Sequence, residues 1–200
     1  MKHLIPAQHT GKSLDIKDSR TFDSESDSKF FYQEAKNRLL QINKWYEIAN
    51  LPVASFEHLD SFGEHSMETP QEGDFIKIDI PGPGLNTTGG YDYVQIEQID
   101  ESSDASQDLI TLTLRPSSLP NLEDDHETKH FFKNMASSSI QVKRDGKTVE
   151  ANYFGRNEVI NLELDSLLDK LRNLFVALGA KLGASSSQWK ALISGILHKP

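Results

Sequence analysis

Residues 126–130 carry the pattern in this sequence that is best suited to metal chemistry. They read HETKH, which is the spacing H-E-x-x-H. On a helix, positions i and i+4 lie on one face, so the imidazoles of His126 and His130 could bind one zinc ion. Glu127 would then act as general base on the metal-bound water. Zinc also needs a third protein ligand, and the downstream candidate is Glu158.

This segment resembles the motif of the zinc metallopeptidases, in which a later helix supplies a Glu ligand. The resemblance implies His126 and His130 as ligands, Glu127 as the base and Glu158 as the third ligand, and hence a zinc-dependent hydrolase. However, acidic residues 123–125 precede the motif and a lysine lies inside it. That composition is typical of a solvated helical turn with its acids near the positive end of the helix dipole. The hydrolase is therefore the alternative hypothesis, and no residue is assigned as catalytic, cofactor-binding or metal-binding.

Two other segments are rich in groups that could hold a ligand. The segment 81–90, PGPGLNTTGG, could expose backbone N–H groups to an anion. It lacks the Lys-Ser/Thr ending of a phosphate loop and joins two predicted strands, so we interpret it as a hairpin loop. Arg156, in the run GRNE, could pair with Asp92, with Glu97 or with a ligand carboxylate. An ordinary salt bridge or capping cluster is the simpler interpretation.

Charge and composition limit the partners that the chain can have. Thirty acidic and 21 basic residues give a net charge of −9, which disfavours nucleic acids and anionic membranes. The chain has no cysteine, which excludes disulfides and thiolate metal sites and fits a reducing, cytoplasmic compartment. No signal-peptide pattern and no apolar run of about 18 residues occurs in the sequence. The expected partners are a small apolar ligand, a protein, or a second copy of the chain.

Apolar periodicity predicts helices towards both ends of the chain and strands between them. Apolar residues recur at three- and four-residue steps in 28–50, 164–182 and 189–197, as on one face of a helix. Alternating patterns predict antiparallel strands at 53–59, 76–80, 91–99, 109–115, and around 140–142 and 149–153. Asp145-Gly146, between the last two strands, is typical of a type I′ hairpin turn.

These elements predict a single α+β domain over residues 28–200, preceded by a polar N-terminal arm over residues 1–27. The domain is a five- to six-stranded antiparallel sheet packed against the N-terminal amphipathic helix and two C-terminal helices. This order of elements is similar to that of the helix-grip lipid-binding folds.

The sequence favours a non-catalytic ligand-binding or protein-interaction module over an enzyme. His58 and His65 are too isolated to indicate a catalytic triad. A pocket is expected beneath a helix, on the sheet face lined by Ile76, Ile78, Ile80, Val94 and Ile96.

Overall fold

A computed structural model describes residues 4–50, 55–79, 91–118, 136–158 and 188–198. The strands in these ranges are β1 (Lys12–Thr21), β2 (Ser55–Leu59), β3 (Phe75–Asp79), β4 (Asp92–Ser103), β5 (Gln107–Pro116), β6 (Ser137–Asp145) and β7 (Thr148–Glu158). The helices are α1 (Glu25–Leu40), the 3-10 turn η1 (Ile42–Lys44), α2 (Trp45–Ala49) and α3 (188–196). None of the helices in these ranges is long and apolar enough to cross a bilayer. The predicted helix 164–182 and the loop 81–90 lie outside the described residues.

The seven strands form one antiparallel sheet in the order β1-β7-β6-β5-β4-β3-β2. β1 and β2 are consecutive in sequence but lie at opposite edges of the sheet, and α1, η1 and α2 connect them. This connection therefore crosses the sheet, with α1 packing on β6 and β7. The predicted α+β class with an antiparallel sheet is confirmed, although the described sheet has seven strands and not the five or six expected.

The additional strand is β1, in the segment that the sequence assigned to a polar arm. β1 pairs with β7 along its whole length. Leu14 and Ile16 pack against the core, and Asp18 and Arg20 continue the same face because alternate residues of a strand point the same way. Half of the inward positions are thus charged, and the apolar alternation is too short to indicate a strand.

The predicted helix 28–50 is interrupted after Leu40. α1 begins earlier than predicted, because the Ser24 side chain accepts a hydrogen bond from the Asp27 backbone N–H (3.1 Å) and caps the helix. At the other end, the indole Nε1 of Trp45 donates to the Leu39 carbonyl (3.0 Å). That carbonyl belongs to the last turn of α1, where intrahelical partners run out. The apolar residues predicted as one helix therefore form one buried surface, although the helix is interrupted between α1 and α2.

The core lies between the helices and one face of the sheet. Ile76 and Ile96, which the sequence placed on the inward face, are fully buried there, while Ile78 and Val94 are partly buried against the core. Ile80 lies outside the described residues. The other fully buried apolar side chains of this core include Ala35, Leu39, Trp45, Leu112, Ile140, Val142, Val149 and Ala151.

The β6–β7 hairpin is present, but its turn lies one residue later than predicted. Asp145 pairs with Thr148, so the two central residues are Gly146 and Lys147. Gly146 has φ +54°, whereas Lys147 is not among the described residues with positive φ. A type I′ turn needs positive φ at both positions, and the observed pattern is that of type II′.

α3 packs into the space between α2 and the β1–β7 edge of the sheet. Leu192, Ile193 and Ile196 are fully buried. The ring of Trp189 stacks on Tyr153 with 4.7 Å between centroids. Gly195 lies so close to α2 that a Cβ atom would overlap the Ile48 carbonyl oxygen. A larger residue at Gly195 would therefore separate the two helices.

Two arginines satisfy the carbonyl groups at the end of α3. Arg20 Nη1 donates to the Leu197 carbonyl (3.0 Å). Arg38 Nη1 donates to the Ile196 carbonyl (2.9 Å) and also to that of His198. Cations suit this position because the C-terminal end of a helix carries partial negative charge.

Candidate functional site

The predicted zinc motif cannot be placed, because His126, Glu127 and His130 lie outside the described residues. Among the residues that the structure does describe, no group of three His, Asp or Glu side chains could hold a metal ion. The zinc-dependent hydrolase therefore stays a prediction from the sequence.

Glu158, the proposed third ligand, is the last residue of β7. It lies opposite Lys12 of β1, and its carboxylate covers the Cα position of Gly155. Burial raises the pKa of Glu158 above its ordinary value, although the charges of Lys12 and Arg156 act in the opposite direction. The residue is on a strand, and not on the downstream helix that the metallopeptidase pattern requires.

Arg156 forms an ordinary surface pair, as the simpler interpretation predicted, but with a different partner. Its Nη1 donates to a carboxylate oxygen of Asp15 in β1, and its guanidinium lies over the Phe154 ring, 5.4 Å from the centroid. Glu97 is instead paired with Arg115 (2.6 Å). The expected pairing with Asp92 or Glu97 is therefore replaced by a cross-strand pair, because β1 lies next to β7 and the sequence did not reveal β1.

The structure brings together a histidine and a carboxylate that the sequence left apart. His58 Nε2 lies 2.9 Å from Asp74 Oδ2. The side chain of His58 is 2% exposed and that of Asp74 is 12% exposed. His58 is in β2 and Asp74 immediately precedes β3, and these two strands pair with each other. The β2–β3 hairpin thus creates the His58–Asp74 pair.

Asp74 is held in place by its own backbone and by the residues before it. Its Oδ2 also accepts the backbone N–H of Gln71 (2.9 Å), and its carbonyl accepts the backbone N–H of Ile96 (2.8 Å). Gly73, with φ +96°, turns the chain between these anchors in a conformation that favours glycine. A carboxylate only accepts hydrogen bonds, and here its donors are the Gln71 N–H and the imidazole of His58. Because the first donor anchors the carboxylate, the carboxylate in turn fixes the orientation of the imidazole.

His58 also forms part of the wall of a pocket of about 300 Å³. Three segments build this pocket: the end of α1 with η1, strand β2, and the loop between β2 and β3. The lining residues are Asn37, Leu40, Gln41, Ile42, Asn43, Lys44, His58, Met67, Glu68 and Thr69. None of them belongs to the isoleucine and valine face where the sequence placed a pocket, because Ile76 and Ile96 are packed in the core.

Asn43 connects the three segments of the pocket. Its Oδ1 accepts the backbone N–H of His58 (2.7 Å), and its Nδ2 donates to the Ser66 carbonyl (2.9 Å). The Ser66 backbone N–H in turn donates to the His58 carbonyl (2.9 Å). One amide side chain therefore fixes η1 to the strand and the loop, so the pocket is preformed.

The pairing with Asp74 determines what His58 can offer to a ligand. When neutral His58 carries its proton on Nε2 and donates it to Asp74, Nδ1 is left as a hydrogen-bond acceptor. No other described residue forms a hydrogen bond to Nδ1. A carboxylate-oriented imidazole of this kind can accept a proton or a hydrogen bond from a bound molecule.

A second histidine, His65 in the β2–β3 loop, contacts Glu57 on the opposite face of β2 in a solvated setting. Glu57 contacts His65 Nδ1 (3.0 Å) and Lys77 Nζ (3.1 Å) through its two oxygens. Burial alone would raise the pKa of Glu57, but the hydrogen bonds and charges of Lys77 and His65 outweigh it and lower that pKa. Side chains alternate along a strand, so Glu57 and His65 do not contribute to the pocket.

A second buried ionic pair lies on the inward face of the sheet, beneath α1. Arg144 Nε donates to Asp108 Oδ2 (2.5 Å), and each side chain is 1% exposed. Ser103 donates its hydroxyl to the same carboxylate, and Arg144 Nη1 donates to the Gly146 carbonyl (3.2 Å). Arg144 Nη2 and the Tyr32 hydroxyl, both buried, have no hydrogen-bond partner among the described residues. The Arg144–Asp108 pair is thus sealed, whereas the His58–Asp74 pair reaches a pocket.

Comparison with known proteins yields similarities of fold only. No protein-family model and no curated protein matches the chain. A hypothetical protein from Helicobacter pylori is similar in structure, with a TM-score of 0.48, 8% identity, and coverage of 91% of this chain and 84% of that chain. An aromatase/cyclase from Streptomyces sp. R1128 gives a TM-score of 0.43 and 12% identity, covering 93% and 92% of the two chains. For major latex-like protein 151 from Panax ginseng the TM-score is 0.41 and the identity 16%, covering 86% and 98%.

Proposed function

We propose that this chain is a non-catalytic module that binds a small polar molecule in the pocket between η1, β2 and the β2–β3 loop. The observation that carries this proposal is the buried His58–Asp74 pair in the wall of that pocket. Burying a histidine and a carboxylate costs free energy unless they are paired. The surrounding hydrogen bonds hold this pair beside the pocket.

The volume of the pocket limits the size of its ligand. Small-molecule sites range from about 300 to 1,000 Å³, and this pocket lies at the lower end of that range. The wall offers polar groups from Asn37, Gln41 and Thr69, and apolar surface from Leu40 and Met67. A compact molecule with several hydrogen-bonding groups and a short apolar part fits this wall.

Among the described residues, no Ser, Thr or Cys side chain forms a hydrogen bond to the His58 imidazole, which favours binding over catalysis. A histidine base activates a Ser, Thr or Cys only within hydrogen-bond reach. In the described part of the chain, the hydrogen bonds of His58 go to Asp74, Asn43 and Ser66, the last through backbone atoms. We place the module in the cytoplasm, because a chain without cysteine suits a reducing compartment.

Nuclear magnetic resonance of the ¹⁵N-labelled full chain tests this proposal. Four probes of different chemistry are added separately: L-leucine, L-lactate, D-glucose and adenosine. At least one should shift the backbone amide signals of Asn43, His58 and Thr69, and His58→Gln should weaken that binding. His65→Gln is the matched control, because the exposed His65 side chain contacts Glu57 on the other face of β2. If none of the four probes shifts these signals, the pocket is not a binding site for small polar molecules.

A further inference from the structure

We infer that the ligand of this pocket is a zwitterion of the amino-acid class with an apolar side chain. The inference rests on the proposed binding function and specifies its ligand. It follows from two charged side chains in the pocket wall, Lys44 and Glu68, which come from different segments of the chain.

Lys44 and Glu68 line one pocket without forming an ion pair. Neither side chain is paired with the other or with any other residue in the described ranges. Many of the other surface charges that flank the sheet are paired, including Lys17 with Glu150 and Arg115 with Glu97. The pocket therefore offers one unpaired cation and one unpaired anion, which suit a ligand that carries both charges.

The remaining wall supplies what such a ligand also needs. Lys44 would bind the α-carboxylate and Glu68 the α-ammonium group, because opposite charges attract most strongly at short range. Leu40 and Met67 give an apolar surface for the side chain of the ligand, and the unbranched thioether of Met67 can adjust to its shape.

The overall charge of the chain also favours a zwitterion over an anion. A net charge of −9 produces a field that repels anionic ligands before they reach the surface. A zwitterion carries no net charge, so this field does not oppose its approach. A purely cationic ligand would be attracted by the field, but it would leave Lys44 as an unfavourable neighbour.

Calorimetric titration of the full chain with L-leucine and two analogues tests the inference. Isopentylamine lacks the carboxylate, and 4-methylpentanoate lacks the amine, while both keep the side chain. L-leucine should bind more tightly than either analogue, by up to about fivefold, since an ion pair at a solvated site contributes up to about that factor. Equal affinity for L-leucine and one analogue would overturn the zwitterion while leaving the binding function intact.

Charge exchange gives a second, independent test. Lys44→Glu and Glu68→Lys should each weaken L-leucine binding, because each places two like charges in the wall. The double variant restores one charge of each sign and should recover part of the affinity. Lys17→Glu, at the β1–β7 edge of the sheet, is the control and should leave binding unchanged. A double variant that binds no better than the weaker single variant would contradict the inference.

Distinct outcomes separate the two proposals. If D-glucose, L-lactate or adenosine shifts the pocket amides and L-leucine does not, the binding function stands and the zwitterion inference is wrong. If no probe shifts them, both are wrong.

Discussion

Two buried ionic pairs among the described residues lie on the same face of one sheet and differ in what surrounds them. Arg144 and Asp108 are enclosed beneath α1, with a serine as additional donor to the carboxylate. His58 and Asp74 lie at the β2 edge of the sheet, where His58 is one of the residues that line the 300 Å³ pocket. The first pair is enclosed and stabilises the fold. The second pair lies beside a pocket that a ligand could occupy.

The largest expected effect is on the sealed pair. Asp108→Asn removes the negative charge and leaves the Arg144 guanidinium buried without compensation, which costs about 3–5 kcal/mol of unfolding free energy. Urea denaturation of the variant and the unmodified chain measures this loss. The control is Asp145→Asn, because the Asp145 side chain is 54% exposed and pairs only with Lys143 at the surface. If both variants lose less than about 1 kcal/mol, Arg144 is not as enclosed as the structure shows.

A smaller effect is expected at the pair that reaches the pocket. His58→Leu leaves Asp74 without its imidazole partner, at a cost of about 1–3 kcal/mol of unfolding free energy. The cost is lower than for Asp108→Asn, because Asp74 keeps the Gln71 N–H and water can enter from the pocket. Urea denaturation measures it, with His65→Leu as the exposed control. A loss as large as that of Asp108→Asn would remove the distinction between the two pairs.

The Arg144–Asp108 pair also makes the stability of the protein depend on pH. Burial alone would raise the pKa of Asp108, but Ser103 and Arg144 outweigh it and hold that pKa below the ordinary 3.8. The folded state therefore binds fewer protons than the unfolded chain as the pH approaches this value. The stabilisation from Asp108 is present above the unfolded pKa and is lost as the pH falls through the lowered folded pKa.

Urea denaturation over a series of acidic pH values tests this linkage. The unmodified chain should lose stability steadily below the ordinary pKa, and Asp108→Asn should show a shallower decline over the same interval. Identical declines in the two proteins would mean that the Asp108 carboxyl titrates alike in the folded and unfolded states.

The smallest effect is expected on the outer face of β2. Glu57→Gln breaks contacts with Lys77 and His65, but the Glu57 side chain is 38% exposed. Exposed ion pairs contribute about 0–1 kcal/mol, so the unfolding free energy should change by no more than that. Binding in the pocket, measured by the shift of the Thr69 amide signal, should not change. A clear loss of binding would show that the two faces of β2 are coupled.

The sequence predicted elements whose patterns repeat over several residues. Alternating apolar residues predicted β3, β4, β5 and the β6–β7 hairpin. Apolar residues at steps of three to four predicted α1 and α2 as one continuous helix. β1 was missed because only two of its inward residues, Leu14 and Ile16, are apolar. The next two on the same face, Asp18 and Arg20, are charged. The break after Leu40 was missed because the Trp45 indole replaces a helical hydrogen bond across six residues. The periodicity of apolar residues in a sequence gives no sign of such a contact.

The candidate site was harder to predict than the fold. His58 and Asp74 are 16 residues apart, and only the register of the β2–β3 hairpin brings them together. The alternation of Phe56 and His58 with Glu57 could have placed His58 on the inward face, since a polar residue at an inward position is a signal of a site. The role of Asn43 depends on distances between three segments and has no signature in the sequence.

The arginine contacts at the end of α3 have a consequence for how the protein is made. Arg20 binds the carbonyl of a residue 177 positions later, so this contact forms only after residue 197 has left the ribosome. Until then, Tyr153 and Trp45 lack the ring of Trp189 that covers them in the folded state. Loops of this length close slowly compared with local hairpins. Docking of α3 is therefore expected to follow formation of the sheet, and a nascent chain paused before residue 188 would expose an aromatic surface to chaperones.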